Sequence, residues 1–365
     1  MKHSLTLGIA LIGALPVIKA QTFQKTSVIT TAVPSLQVPV DARAGGMGEA
    51  GIAISADPNS VFTNRAKTAF ATNEKDSLKG GIAINYTPWM HDVASGMYLA
   101  SVGGYVGIGE NQAVSASVRY FNLGNYELRD GNGTLLQSSR PNDLLFDVGY
   151  ARALNSFLSL SVALRYIRST LASGTVGETS YKTGQAVCGD ISLFYKGTKA
   201  NGNGLNAGLV LSNLGSRISY TSNAQKELLP ATIGAGIAYN WQPDPDNHIT
   251  IVGDVNKLMV PKYDSTIGGT GYGKSVFNSY GKSFSNDAYR FSVGAEYTWR
   301  RMFSVRAGYQ FENQSQGGRK GFTVGVGANY KVATFNIAFF GPSGSGTTRN
   351  PLSNSLRFSL LFDFF

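Results

Sequence analysis

The sequence predicts an all-β protein, a transmembrane antiparallel β-barrel of about 14 strands with an N-terminal plug or hatch segment. Three observations predict it. From about residue 78 onward, apolar and polar residues alternate with period two in segment after segment. The polar faces of these segments carry full charges in mid-strand, at Arg119, Arg165, Arg290, Glu296, Arg306 and Arg357. A soluble sandwich core has no room for such charges, whereas a barrel lumen is wet or filled with polar groups. The connections between segments alternate between short and long, as the turns and outer loops of membrane barrels do.

Residues 1–20 read as a secretory signal: Lys2 and His3 open it, Leu5 to Ile18 form an apolar run, and Ala20 precedes a cut ahead of Gln21. The run is shorter than the roughly 20 apolar residues a spanning helix needs. No later stretch comes near that length, so the remaining protein is exported and is soluble, peripheral or a barrel.

Residues 21–77 form the expected plug. They are polar, rich in small residues and without sustained alternation. The run DARAGGMGEAG from Asp41 to Gly51 suits a tight path through a narrow space, because glycine permits positive φ. Asp57-Pro58 reads as a helix start, with Asp as cap and Pro in the first position.

Residues 78–365 form the expected barrel. Its strands are placed at 78–87, 96–108, 112–121, 143–152, 157–168, 186–196, 204–212, 231–240, 247–255, 288–299, 302–311, 321–329, 332–340 and 355–365. In the tenth, Tyr289, Phe291, Val293, Ala295, Tyr297 and Trp299 share one face, and Arg290, Ser292, Gly294, Glu296 and Thr298 the other. Tight turns fall at Gly109–Asn111, Arg300–Arg301 and Tyr330–Lys331; the alternate connections 122–142, 169–185, 213–230, 256–287, 312–320 and 341–354 are longer. Aromatic residues at strand ends (Tyr86, Trp89, Tyr120, Tyr150, Tyr166, Tyr239, Trp299, Tyr330) mark interfacial girdles. The last strand ends in an aromatic residue and closes the barrel on the first, leaving no edge in lipid.

Composition agrees. With 44 Gly, 18 Tyr and 20 Phe against 15% charged residues, the chain is too poor in charge for an ordinary soluble surface. One cysteine, Cys188, rules out an internal disulfide. The net charge is +10, or +8 without Lys2 and Lys19, but it is spread along the chain. Together with export, this argues against nucleic acid and for outer-membrane lipid and lipopolysaccharide head groups as the attracted anions.

Motifs for chemistry are poor. Gly268 to Ser275 (GGTGYGKS) matches the phosphate-loop pattern, but the flanks give neither the buried strand before it nor the helix after it. His91 and His248 stand alone, without ligand spacing for a metal. Cys188 shares a strand with Asp190 and has no identifiable base. The lumen arginines are expected to pair with Glu296, Asp147, Asp190 or Asp363, or with plug backbone. No catalytic, cofactor-binding or metal-binding residue is assigned, no cofactor is expected, and the protein is not expected to be an enzyme.

Eight motifs in order resemble the PorV family of type IX secretion outer-membrane proteins. They are DARAGGMGEAGIA from Asp41, YTPWM from Tyr86, SVRYFNLG from Ser117, Glu127-Leu128, LRYIRS from Leu164, LSNLGSRISY from Leu211, VRAGY from Val305 and PLSNSLRFSL from Pro351. A departure is FTNRAK at Phe62 to Lys67, where the family more often has a Trp-Asn-Pro-Ala-Lys-like run. The resemblance implies a fold like the fatty-acid transporter FadL, with an N-terminal hatch. It also implies a role in protein export. Such a protein receives cargo by its C-terminal signal domain, sits against the translocon barrel and passes cargo to the attachment complex. On that reading the candidate cargo-binding segments are the outer loops 122–142 and 256–287. The competing reading is a FadL-like transporter of hydrophobic small molecules, which needs a continuous apolar pocket between hatch and wall.

Overall fold

A computed structural model describes residues 28–71, 79–89, 96–129, 131–172, 174–176, 179–221, 226–262, 275–343 and 355–364. The expected signal peptide, His91 and the terminal Phe365 lie outside these residues.

Eighteen strands are described. The first nine are β1 (Gly80–Pro88), β2 (Met97–Gly107), β3 (Gln112–Leu123), β4 (Tyr126–Arg129), β5 (Leu135–Ser139), β6 (Asn142–Ala153), β7 (Leu158–Thr170), β8 (Gly174–Val176) and β9 (Thr179–Tyr181). The rest are β10 (Gly184–Lys196), β11 (Gly204–Gly215), β12 (Thr232–Asp244), β13 (Asn247–Leu258), β14 (Tyr289–Trp299), β15 (Phe303–Glu312), β16 (Lys320–Tyr330), β17 (Ala333–Pro342) and β18 (Ser355–Phe364). Fourteen of them close an antiparallel barrel in which β1 pairs with β18, from Gly80 opposite Phe364 to Tyr86 opposite Phe358. These are the 14 strands placed from the sequence, with no boundary displaced by more than 4 residues, the largest being the end of β12. The pairs β4–β5 and β8–β9 are separate hairpins inside two of the long connections.

The wall is inside out relative to a soluble sheet. Along β7, Val162, Leu164 and Tyr166 are exposed while Ser161, Ala163, Arg165 and Ile167 are buried. The solvent of the outer face is therefore apolar, which places the barrel in the outer membrane. No helix among the described residues is long and apolar enough to cross a membrane; the strands do the crossing. Girdle aromatics form ladders across strands, such as Tyr86–Tyr98–Tyr120 with ring centroids 5.7 and 6.1 Å apart. Trp89 corrects the girdle expectation. It is buried beside Phe121 in a cluster with Val38, Val40 and Leu99, so it packs inward, not against lipid.

The short turns share one end of the barrel with the start of β1 and the end of β18. Asn111, Arg300, Arg301 and Lys331 all take positive φ there. Two wall pairs shift register among the described residues: β10 and β11 at Gly189/Ile191, where Asn213 sits at φ 60, and β12 and β13 between Trp241 and Asp244.

The segment 28–71 enters at the long-loop end. Ile29 N–H donates to Ser315 O in the β15–β16 loop, and Ala32 N–H to Leu228 O in the β11–β12 loop. It reaches strands near the short turns, where Ser159 at the start of β7 donates to Ala66 O. Its helices are single turns: α1 (Ala42–Gly45), α2 (Ser60–Thr63) and α3 (Thr68–Ala71). The expected cap at Asp57 is corrected. Helix α2 starts after Asn59, and the Asp57 carboxylate is taken by Arg43 at 3.1 Å.

Candidate functional site

The interior is built where the glycine run meets the wall. Gly48 at φ +70 and Glu49 at φ +66 make a reversal that glycine eases. The wall answers with Gly308, where a Cβ would collide with Gly48 N, so the two backbones touch. Thr323 fixes the reversal, accepting from Gly48 N at 2.7 Å and donating to Gly46 O at 3.0 Å. Ser359 accepts from Ala42 N at 2.9 Å, and one Asp254 oxygen accepts from both Gly51 N and Ile52 N at 2.7 and 3.0 Å.

Charges complete the lattice. Glu49 meets Arg357, which donates to it, with Arg319 at 3.6 Å and Arg290 at 3.7 Å. Burial alone raises the Glu49 carboxyl, but the three guanidinium groups outweigh it and hold the group at about 2. Arg43 bridges Asp57 and Glu296, and Arg306 reaches Glu296 at 2.6 Å. Arg165 lies 2.5 Å from Asp147 and 2.8 Å from Asp190, and Arg65 contacts the same two carboxylates at 3.3 and 3.4 Å. Lys67 is buried, donating to Gly51 O and Thr63 Oγ1; burial pulls its ammonium down to about 8. Burial first, then Asp57, push Asp41 up to about 6.

The sequence puts Arg165, Arg306, Glu296, Asp147 and Asp190 correctly in pairs. It also puts Asp363 among the partners, whereas no described ion pair includes Asp363. It misses Glu49 and Asp254, whose only local signal is an acidic residue inside a glycine run and on a strand's polar face. Cys188 is buried, packed with Ala186, Leu145 and Ile167.

Two of the cavities among the described residues bear on a path through the lumen. One of about 140 Å3 mixes Leu36, Val38 and Phe62 with Arg119, Asp254 and Arg290. The other, about 270 Å3, lies toward the short turns and is lined by Arg43, Asp57, His248, Glu296, Arg301 and Asp363. Both are charged, so neither is the continuous apolar pocket a hydrocarbon path needs.

Of the candidate outer loops, 122–142 folds as the β4–β5 hairpin and is tied at its base by Tyr126 Oη to Leu171 O, 2.7 Å. Loop 256–287 is described in part and holds α4 (Val276–Lys282). Tyr280 anchors this helix, buried with Ala231 and Met259 and accepting from Gly215 N at 3.1 Å. Phe277, whose ring lies edge-on 6.1 Å from that of Tyr280, and Phe284 are 83% and 60% exposed. The phosphate-loop pattern is corrected in one respect: a helix does follow it, with Ser275 as cap. Gly268 to Lys274 lie outside the described residues, and β13 ends at Leu258.

The fold is that of an outer-membrane barrel of the FadL type. A mutant of the TodX monoaromatic hydrocarbon channel is similar at TM-score 0.55 and 14% identity, covering 88% of this chain and 97% of that one. A Pseudomonas aeruginosa FadL homologue is similar at TM-score 0.53 and 11% identity, covering 90% and 99%. At such identities the likeness is one of fold. No curated protein sequence matches the chain. The family model for type IX secretion system protein PorV matches residues 21–265, and the chain belongs to that family. It is thus an outer-membrane protein of type IX secretion.

Proposed function

We propose that this protein binds the C-terminal signal domain of cargo proteins at its outer loops, associates with the translocon barrel and carries cargo to the attachment complex. Segment 28–71 acts as a plug, so the lumen is not the path of the cargo. The observation that carries the reading is the division of labour between interior and rim. The interior is crossed by buried ion pairs, while Phe277 and Phe284 stand exposed on an anchored outer helix and the turn after it. Exposed aromatic side chains on a fixed support are the usual anchors of protein recognition.

The second reading, a transporter of hydrophobic small molecules, draws on the named hydrocarbon channel of similar fold. The charged lining of both cavities speaks against it. Catalysis has no support in either reading.

The test is capture of a purified cargo C-terminal domain by the protein in mild detergent. Phe277→Ser with Phe284→Ser, and separately a hairpin cut back between Tyr126 and Ser139, should each reduce capture. Undiminished capture by both variants overturns the site assignment. Co-purification of a large barrel protein with cargo supports the shuttle, and its failure with intact loops overturns the translocon association.

A further inference from the structure

The short-turn rim carries a basic patch on one side of the barrel. The β14–β15 turn is Trp299-Arg300-Arg301-Met302, and the β16–β17 turn is Tyr330-Lys331-Val332. The turns are neighbours: Asn329 N–H donates to Met302 O at 2.7 Å, and Phe303 pairs with Ala328. Three cations thus meet on two adjoining turns. Elsewhere on this rim, the β2–β3 turn carries Glu110, the β12–β13 turn Asp244 and Asp246, and the β10–β11 turn Lys199.

All three cations occupy positions where glycine or asparagine would be the easy choice. Arg300, Arg301 and Lys331 have φ of 52, 56 and 56°. Two successive left-handed residues are what a tight hairpin of this twist demands, and Asn-Gly meets that demand without strain. Long cationic side chains there run against backbone preference, which points to a use for their charge.

Their setting identifies the use. Trp299, Met302, Phe303, Tyr330 and Val332 are exposed around them, and Trp299, Phe303 and Tyr330 are in register with the lipid-facing residues of their strands. The Arg300 guanidinium lies 4.8 Å from the Trp299 ring and the Lys331 ammonium 5.4 Å from the Tyr330 ring, so both cations sit beside girdle aromatics. Arg300 shares an exposed pair with Asp246 at 3.1 Å. Lys331 has no carboxylate within ion-pair distance among the described residues, whereas Arg301 lines the lumen cavity with Glu296 and Asp363. Cations at the level of the girdle, flanked by apolar groups that enter the membrane, complement lipid phosphate.

We propose that this rim sector is a binding site for the head groups of anionic phospholipid in the leaflet at the short-turn end. Arg300 and Lys331 are its charge-bearing residues, and Trp299, Phe303 and Tyr330 seat the acyl boundary. It gives the barrel one lipid-preferring side.

The test uses the purified mature protein in nanodiscs of equimolar phosphatidylglycerol and phosphatidylcholine, with retained lipids counted by native mass spectrometry after transfer to detergent. The wild type should retain phosphatidylglycerol preferentially. R300Q with K331Q should bring the ratio toward even, a loss of about fivefold per cation. R300K with K331R should keep the preference, which separates charge from turn damage. Equal retention of both lipids by the wild type, or an unchanged ratio in the glutamine variant, overturns the proposal. So does displacement of the lipid by polyglutamate as readily as by phosphatidylglycerol vesicles, since that outcome assigns the patch to an acidic protein.

Discussion

Residues 28–40 and 41–71 are held inside one barrel by different forces. The first stretch is held largely by apolar contact, with the outer loops (Ile29 with Leu228 and Val260, Val33 with Leu229 and Ile218) and with the loop-side ends of wall strands (Ile29 with Leu258, Val38 with Leu99). The second is held by ion pairs and hydrogen bonds to strand side chains: Glu49 to Arg357, Arg43 to Glu296, Asp254 to Gly51 and Ile52. Loops that carry apolar contacts can rearrange without breaking a wall strand. Ion pairs anchored on strands form only when the wall is closed. The difference teaches that the outer stretch is the part that yields to events at the mouth, while the inner stretch reports the integrity of the barrel itself.

The largest effect should come from the inner stretch. Glu49→Ala leaves the buried Arg357 and Arg290 without the carboxylate they share, and Arg319 with Glu312 alone. Breaking such a buried pair costs about 3–5 kcal/mol. Urea unfolding of the barrel in detergent should show a loss of this size. A smaller loss than that of any outer-stretch variant would reverse the comparison.

Leu228→Ala should follow. Leu228 is fully buried against Ile29, and removing it should cost about 2–3 kcal/mol, at the low end for leucine because a loop can collapse on the gap. The sharper readout is local. Hydrogen exchange should quicken at the amides of Ile29 and Ala32, which bond to the outer loops, and stay slow at Gly48 and Gly51. Equal quickening at all four amides would mean that the two stretches open as one unit.

Much of this is legible in the sequence. The wall follows period two because each side chain sees either lipid or lumen, and that choice is local. The ionic lattice is not legible in the same way. Glu49 and Arg357 stand 308 residues apart, and only closure of the barrel brings them together. Asp57 reads as a helix cap because a carboxylate before proline usually is one; a distant arginine claims it instead. The β4–β5 hairpin escapes a periodicity reading although Asp130 to Gly133 (DGNG) carries a hairpin turn signal, since strands of 4 and 5 residues are too short for alternation to register. The exposure of Phe277 and Phe284 is hidden because, in an apolar-faced wall protein, a phenylalanine says nothing about which solvent it meets.

A pH series separates two anchors within the inner stretch. Glu49 is held at about 2, below its ordinary 4.5, by its arginines against the cost of burial. Its stabilisation is present above pH 4.5 and is lost as pH falls toward 2. Asp41 is raised to about 6 from 3.8 by burial, then Asp57. Its contribution runs the other way, full below pH 3.8 and lost as pH rises through 6. Glu49→Gln should therefore lower the melting temperature above pH 4.5 and converge on the wild type near pH 2. Asp41→Asn should match the wild type below pH 3.8 and exceed it above pH 6, each by an amount equivalent to about 2–3 kcal/mol. Parallel pH curves for a variant and the wild type would remove that group from the lattice.

The smallest effect lies outside both stretches and tests whether they are insulated from the wall's rim. Arg300→Asn with Arg301→Gly supplies the residues the turn at φ 52 and 56° prefers. It should raise barrel stability by about 0.5–1 kcal/mol, through relief of left-handed strain offset by the lost pair with Asp246. The gain should add to the loss from Glu49→Ala within about 0.5 kcal/mol, since the two sites share no partner. A larger coupling would tie the rim to the lattice through Arg301, Arg43 and Glu296, which line one cavity, and the inner stretch would then report on the turn as well as on the strands.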